Sequence, residues 1–206
     1  MKKIAIYDFD GTLYNGETIS DFYFFSAKEN KLLYLWLPYF AILLLLKKLH
    51  LITLKLFKQE CFRFFGRRIS TDMVYKFWGV KKKYIFPWVR HELALDKKRG
   101  YYTICISATP EFLLSGIVLK YLNFDAFIGT RLNTKDNRKI IGKNCKGKEK
   151  VSRLYEFLKK RRIKNYKIKK MVSDSLADMP LYKIAERNFV VKKDGTLKEG
   201  LPTKYI

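Results

Sequence analysis

Cysteine and histidine are scarce in this chain: Cys61, Cys105 and Cys145 on one side, His50 and His91 on the other, among 206 residues. An odd cysteine count without a Cys-x-x-Cys spacing does not support a disulfide framework, and so few sulfur and imidazole ligands do not support a zinc site. That cysteine usage suits a reducing compartment, so a cytoplasmic setting is expected. Acids are also in short supply, 19 against 43 lysines and arginines, which leaves a formal net charge of +24. The start, MKKIAIYDFDG, meets Asp8 after a short apolar run, so no secretory signal is read there. There is no internal repeat and no low-complexity linker. Disorder is excluded by what is abundant, 48% apolar and 16% aromatic residues. The length suggests one core domain with a substantial insertion. Excess positive charge points to anionic partners: nucleic acid, an anionic membrane surface or a phosphorylated substrate.

Ile4 to Tyr7 is a short apolar run stopped by Asp8 and Gly11, the pattern of a buried parallel strand that ends in a loop. Thr103 to Ile106 repeats it after Gly100, which follows a helix ending at Asp96 to Arg99. Ser107 to Glu111 then reads as a loop and helix start, with Thr109 as N-cap and Pro110 at the first helical position. Further strands are expected at Ala126 to Ile128, Ile168 to Val172 and Phe189 to Val191. Val151, Leu154, Tyr155 and Leu158 follow helical spacing between the third and fourth of these. The alternation predicts an open α/β sheet with its ligand site at the carboxyl ends of the strands. Leu13 to Trp88 breaks the alternation and reads as helical throughout, an insert lying over that edge. The expected division is therefore a core of residues 1–13 and 89–206 and a strongly apolar helical cap of residues 14–88.

Two windows directly after predicted strands concentrate carboxylates: Asp8-Phe9-Asp10-Gly11-Thr12 and Ser173-Asp174-Ser175-Leu176-Ala177-Asp178. Parallel strands bring both windows to one edge. Residues two apart on extended chain point the same way, so Asp8 and Asp10 can face one pocket while Phe9 turns into the core. Gathering carboxylates costs repulsion unless a cation joins them, and oxygen ligands suit a hard divalent ion such as Mg²⁺.

These residues resemble the haloacid dehalogenase (HAD) superfamily, in its phosphoserine-phosphatase-like branch, subfamily IB. The four motifs of that family correspond to DFDGT (Asp8 to Thr12), SAT (Ser107 to Thr109), a lysine in KGKEKVSRL, and SDSLADMP (Ser173 to Pro180). The resemblance implies a Rossmann-like parallel core with an inserted helical cap between the first and second motifs. It implies Asp8 as a nucleophile that takes up the phosphoryl group, and Asp10 as general acid and base. Phe9, Ser107, Ala108 and Thr109 would be substrate-binding positions, with Ser107 and nearby backbone N–H groups on the phosphoryl oxygens. Asp8, Asp10 (through its carbonyl) and Asp174 would bind Mg²⁺, with Asp178 holding the metal's waters. An acid at position 10 also separates the chain from the family's dehalogenases and ion pumps. For the motif lysine, Lys146, Lys148 and Lys150 compete; Lys150, which directly precedes Val151-x-x-Leu154, is preferred, with Lys148 as fallback.

Leu32 to Leu46 carries no formal charge and is bounded by Lys31 and by Lys47 and Lys48. At about 1.5 Å per residue it covers roughly 22 Å, short of a hydrocarbon core of roughly 30 Å, and Pro38 lies inside it. With the following Leu49 to Phe65, which bears Lys55, Lys58 and Arg63, it resembles an interfacial or re-entrant element whose cations meet lipid headgroups. Ordinary cap core, a dimer face and a true span are the alternatives. Together with Asn144-Cys145-x-Gly147-x-Glu149-Lys150-Val151, the segment is most similar to the phosphatidylglycerophosphatase C type within the branch. That implies a lipid-linked phosphate as substrate and a peripheral position on the inner membrane face; a soluble phosphoserine-like or sugar phosphate is the alternative. Arg138 to Lys170 holds fifteen cations against Glu149 and Glu156, a stripe suited to anionic lipid or polyphosphate. No nucleic-acid-binding motif or aromatic platform supports a nucleic-acid partner.

Overall fold

The computed structural model describes residues 1–29, 31–53, 56–57, 59–60, 70–133 and 139–202. Lys55, Lys58, Arg63, Cys61 and Arg138, which the sequence brought into the argument, lie outside them. One mixed sheet carries the fold, in the order β3-β2-β1-β4-β5-β6. Its strands are β1 (Lys2–Tyr7), β2 (Tyr101–Pro110), β3 (Ala126–Thr130), β4 (Tyr166–Ser173), β5 (Arg187–Val191) and β6 (Leu197–Glu199). All neighbours pair in parallel except β5 and β6. The five expected strands are present, each longer than its apolar run, β2 most of all, running from Tyr101 to Pro110. The sixth pairs antiparallel after the turn at Asp194 and Gly195, and its Leu-Lys-Glu sequence carries no apolar run.

Period-two alternation along β1 divides the core. Ile4 and Ile6 face a layer closed by Leu154 and Leu158, whereas Ala5 and Tyr7 face a second layer with Val89, Leu93, Leu113 and Ile117. The helices flanking these layers are α4 (Trp88–Lys98), α5 (Glu111–Val118), α6 (Lys148–Lys160) and the short α7 (Met179–Tyr182). On α6 the buried positions are Lys150, Arg153, Leu154 and Leu158. Tyr155, expected on that face, is 46% exposed because it lies one position past the stripe.

Thr109 does not cap α5. Pro110 occupies the cap position without a side-chain hydrogen bond, and β2 continues through it to pair with Thr130. The physical reason is local: a residue before proline is driven out of the helical region into extended backbone. Thr109 thus stays on the strand and its hydroxyl turns to Asp10.

The insert is not helical throughout. It holds α1 (Thr18–Glu29), a 3-10 stretch Lys31–Trp36, α2 (Leu37–Lys48), α3 (Thr71–Lys81) and a second 3-10 turn, Lys82–Tyr84. Its two ends meet in a bridge between Tyr14 and Ile85. Phe86 donates its N–H to the Leu13 carbonyl (3.0 Å), and Asn15 donates to Tyr84 (2.9 Å). Aromatic packing fastens the cap to the core: Phe9 meets Trp78 edge-on at 5.5 Å and stacks on Tyr14 at 6.0 Å. Trp78 also donates its indole N–H to the Leu113 carbonyl at 2.7 Å.

The apolar segment around Pro38 divides at Trp36. Proline sits in the first turn of α2, where its missing N–H costs no helical bond, and the preceding turn is 3-10. Among the described residues no helix is long and apolar enough to cross a membrane. Phe40 and Leu43 pack inward, but Leu35, Trp36, Ile42, Leu44 and Leu45 are exposed.

Candidate active site

β1, β2 and β4 end side by side, and each contributes its terminal residues to one cavity of about 370 Å³. Asp8 and Asp10 come from the end of β1, Ser107 and Ala108 from β2, Asp174 and Asp178 from beyond β4, and Lys150 from the first turn of α6. The β1 neighbours β2 and β4 leave to opposite sides, which makes this the switch point where an open α/β sheet forms its crevice. The cap supplies the remaining wall through Glu17, Ile19, Ser20, Lys47 and Phe57.

Lys150 lies at the centre of the charge arrangement. Its ammonium is 2.8 Å from Asp8 Oδ1 and 2.6 Å from Asp178 Oδ2, in a site where it is only 2% exposed. Burial works against that charge, but Asp8 and Asp178 outweigh it and hold the lysine above its ordinary range. Asp8 is pushed the other way. Burial raises its carboxyl, Lys150 pulls it back, and Asp178 and Asp174 raise it again, leaving it well above the usual carboxylate range. Lys148, by contrast, is exposed and outside the cavity, while Lys146 lines the cavity without reaching Asp8 or Asp178.

Thr18 and Thr109 hold Asp10. Its Oδ1 accepts the Thr18 N–H at 3.0 Å and a short bond from the Thr18 hydroxyl, and its Oδ2 accepts the Thr109 hydroxyl at 2.5 Å. Asp174 is held by Thr12, whose hydroxyl donates to Oδ1 (2.8 Å) and accepts the Asp174 N–H (3.0 Å). Gly11 makes that approach feasible: its φ is +72°, and a Cβ there would fall 2.5 Å from Asp174 Oδ2. Asp178 Oδ2 accepts from the Ser173 hydroxyl (2.8 Å) as well as from Lys150. Ser107 Oγ accepts the Thr109 N–H at 3.1 Å, and the Ala108 carbonyl accepts the Thr130 hydroxyl at 2.7 Å.

The structure therefore brings Asp8, Asp10, Ser107, Ala108, Lys150, Asp174 and Asp178 to one cavity and leaves two expected positions off it. Phe9 is fully buried in the aromatic cluster, and Thr109 lies behind Asp10, so any contact these two make with a substrate rests on backbone rather than side chain. Thr12, Thr18 and Ser173 hold the acids in place; Thr12 and Ser173 stand inside the quoted motifs without an assigned role, and Thr18 lies outside them. Hydroxyl residues beside acids are too common in a sequence to stand out, and Thr12 and Asp174 are 162 positions apart.

Among the described residues no three Asp, Glu, His or Cys side chains gather tightly enough to mark a metal site by themselves. Lys150 stands between Asp8 and Asp178, and Thr12 engages Asp174. The donor set nonetheless fits a hard cation: oxygen ligands from Asp8, Asp10 and Asp174 share one cavity.

Residues 5–183 match the haloacid dehalogenase-like hydrolase family. The chain belongs to that family and is an enzyme of the hydrolase class. No curated protein matches it. Among solved structures, a protein of unknown function from Bordetella pertussis Tohama I superposes with a TM-score of 0.80 at 16% identity, over 91% of this chain and 89% of that one. Phosphoserine phosphatase in its apo form gives 0.60 at 20% identity, over 91% and 85%. A phosphoserine phosphohydrolase-like protein from Francisella tularensis subsp. tularensis SCHU S4 gives 0.59 at 17%, over 91% and 86%. At these identities the likeness is one of fold.

Proposed function

We propose that the protein is a Mg²⁺-dependent phosphomonoesterase that works through an aspartyl-phosphate on Asp8. The observation that carries this is the meeting of Asp8, Asp10, Ser107, Lys150 and Asp174 in one cavity, with Lys150 paired to Asp8. In the first half-reaction an Asp8 carboxylate oxygen attacks phosphorus. The bond to the ester oxygen breaks, and Asp10 gives that oxygen its proton as the alcohol leaves. In the second, Asp10 takes a proton from water, the water oxygen attacks the same phosphorus, and the acyl-phosphate bond breaks to return Asp8 and free phosphate. Lys150 balances the charge of Asp8 and of the phosphoryl oxygens beside it. Mg²⁺, held by Asp8, the Asp10 carbonyl and Asp174, would supply further charge neutralisation, with Asp178 one step behind.

The substrate we propose is a lipid or lipid-linked phosphate met at a membrane surface, of the phosphatidylglycerophosphate kind. A cavity of about 370 Å³ holds a headgroup and leaves no room for acyl chains. Immediately outside it, α2 exposes Ile42, Leu44 and Leu45 and ends on Lys47 and Lys48, an apolar face with a cationic border. The polar wall groups Glu17 and Ser20 favour a second reading, a soluble phosphomonoester such as phosphoserine. A nucleic-acid partner gains nothing. Within the basic stripe Lys150, Arg153 and Lys170 are buried, and the run from Lys159 to Lys169 lies where α6 ends and β4 begins, opposite the cavity.

Phosphate release with and without Mg²⁺ tests the proposal, using phosphatidylglycerophosphate in mixed micelles beside phosphoserine, glycerol phosphate and sugar phosphates. Preference for the lipid supports the whole reading, and preference for a soluble ester keeps the chemistry but removes the membrane. Release that survives Asp8→Asn in a folded protein would sink the aspartyl-phosphate.

A further inference from the structure

The cap wall of the cavity carries a cation that the reaction above does not use. Lys47 lies in the last turn of α2 and lines the cavity with Asp8, Ser107 and Lys150. Its ammonium rests 4.7 Å from the centroid of Phe57, a buried ring that lines the same cavity. An aromatic face attracts a cation through its quadrupole, which positions the lysine without neutralising it. Among the described residues Lys47 enters no ion pair, whereas Lys150 is paired to Asp8 and Asp178 beside the reacting centre. Lys146 adds a second positive charge from the core side of the same cavity, against the single cap carboxylate of Glu17.

Position gives this charge its meaning. Leu44 and Leu45, in the turn before Lys47, are 43% and 55% exposed on the outer surface of α2. Lys47 thus stands where the polar cavity gives way to an apolar face, with the reacting phosphoryl group already served by Lys150 and Ser107. We infer that Lys47 reads a second anionic group of the substrate, a phosphodiester or similar anion lying between the reacting phosphomonoester and an apolar tail. This rests on the phosphatase reading and adds what the substrate must carry besides its ester.

Binding of non-hydrolysable methylene-phosphonate analogues to the full chain, followed by calorimetry at low salt with Mg²⁺, tests it. One analogue mimics glycerol phosphate; a second adds a phosphodiester to another glycerol; a third adds two hexanoyl chains to the second. Lys47→Ala is expected to weaken the two phosphodiester-bearing analogues about tenfold, chains or not, as loss of one charge-assisted contact should. The simple analogue should hold within about twofold, Lys47→Arg should restore the affinity, and added salt should shrink the gap. Equal weakening of all three analogues, or of none, overturns the inference. Weakening confined to the acyl-bearing analogue overturns it too, because it assigns Lys47 to the chains. The phosphatase reading is checked separately by hydrolysis of glycerol phosphate and its loss in Asp8→Asn; binding that ignores the phosphodiester while that hydrolysis persists rejects the inference alone.

Discussion

Lys150 reaches Asp8 and Asp178 at once, at 2.8 and 2.6 Å, so a single buried ammonium serves two carboxylates from different strand ends. Removing it should cost both activity and stability. Lys150→Met leaves both acids without their cation in a dry site, a loss of about 3 to 5 kcal/mol by analogy with broken buried pairs. The pH dependence has a definite sign. Asp8 already lies above its unfolded value, and without Lys150 it rises further. A carboxyl raised in the folded state binds its proton more tightly there, so stability is retained at low pH and lost as pH climbs through the folded value. Urea denaturation should therefore show Lys150→Met closest to wild type near pH 5 and furthest from it near pH 8, and a gap independent of pH would contradict the assignment.

Asp10 depends on Thr18 and Thr109 for its orientation. Thr109→Val keeps the shape and removes one hydroxyl donor, so the acid is still present but less firmly aimed. We expect kcat to fall about tenfold with KM nearly unchanged, and Thr109→Ser to recover most of it. Steady-state kinetics on any hydrolysed ester decides this; a KM effect alone would place Thr109 in substrate binding instead.

Much of this site was legible because motif residues follow directly on strands, and Asp8, Asp10, Ser107, Asp174 and Lys150 do share one cavity. Less legible was whatever depends on pairing across the chain. Thr12 reaches Asp174 and Thr109 reaches Asp10, contacts that no local pattern marks. β6 was missed because a three-residue polar edge strand has no apolar period, and Thr109 was misplaced because its hydroxyl suggested a cap although Pro110 forbids helix before it. Pro38 lies inside one apolar run, but the structure divides that run: a 3-10 stretch ends at Trp36 and a helix starts at Leu37.

The sheet's other face holds a second ion cluster. Lys170, on β4, contacts Glu92 at 2.5 Å, Asp96 at 3.0 Å and the Tyr7 hydroxyl at 2.9 Å, while Tyr7 donates a short bond to Asp96. Burial, reinforced by Asp96, holds the Tyr7 phenol well above its ordinary range, so it remains a donor. None of these residues lines the catalytic cavity. Lys170→Met should destabilise by about 3 to 5 kcal/mol with kcat/KM changed less than about threefold. Adding Asp96→Asn should return part of the loss, a coupling that a double-mutant cycle measures.

Cys105 and Cys145 are fully buried, and burial raises both thiols, Cys145 to about 12. At pH 8 only roughly one Cys145 in ten thousand is then thiolate, the reactive form. A Cys61→Ser variant isolates these two. It should resist iodoacetamide for hours in the native state and take up two equivalents in denaturant; rapid native labelling would show that the core opens readily.

The exposed residues of α2 and of the 3-10 stretch before it give the membrane proposal its sharpest consequence. Leu35, at 77%, and Ile42, at 53%, spend apolar area on solvent that contributes nothing to packing, whereas Phe40 and Leu43 on the inner side hold the helix to the cap. Apolar area removed from water is worth about 25 cal/mol per Å², so even partial insertion of this face should exceed what the flanking lysines contribute through charge alone. Replacing Leu35, Ile42 and Leu45 with serine should leave the thermal midpoint within a few degrees, since those side chains are more than half exposed. The same change should cut sedimentation with vesicles containing anionic phospholipid by about tenfold or more. Hydrolysis of a soluble ester should not change. Charge alone would produce a different pattern: binding would survive the serine substitutions and disappear with salt, and α2 would then be a cap surface without a role at the bilayer.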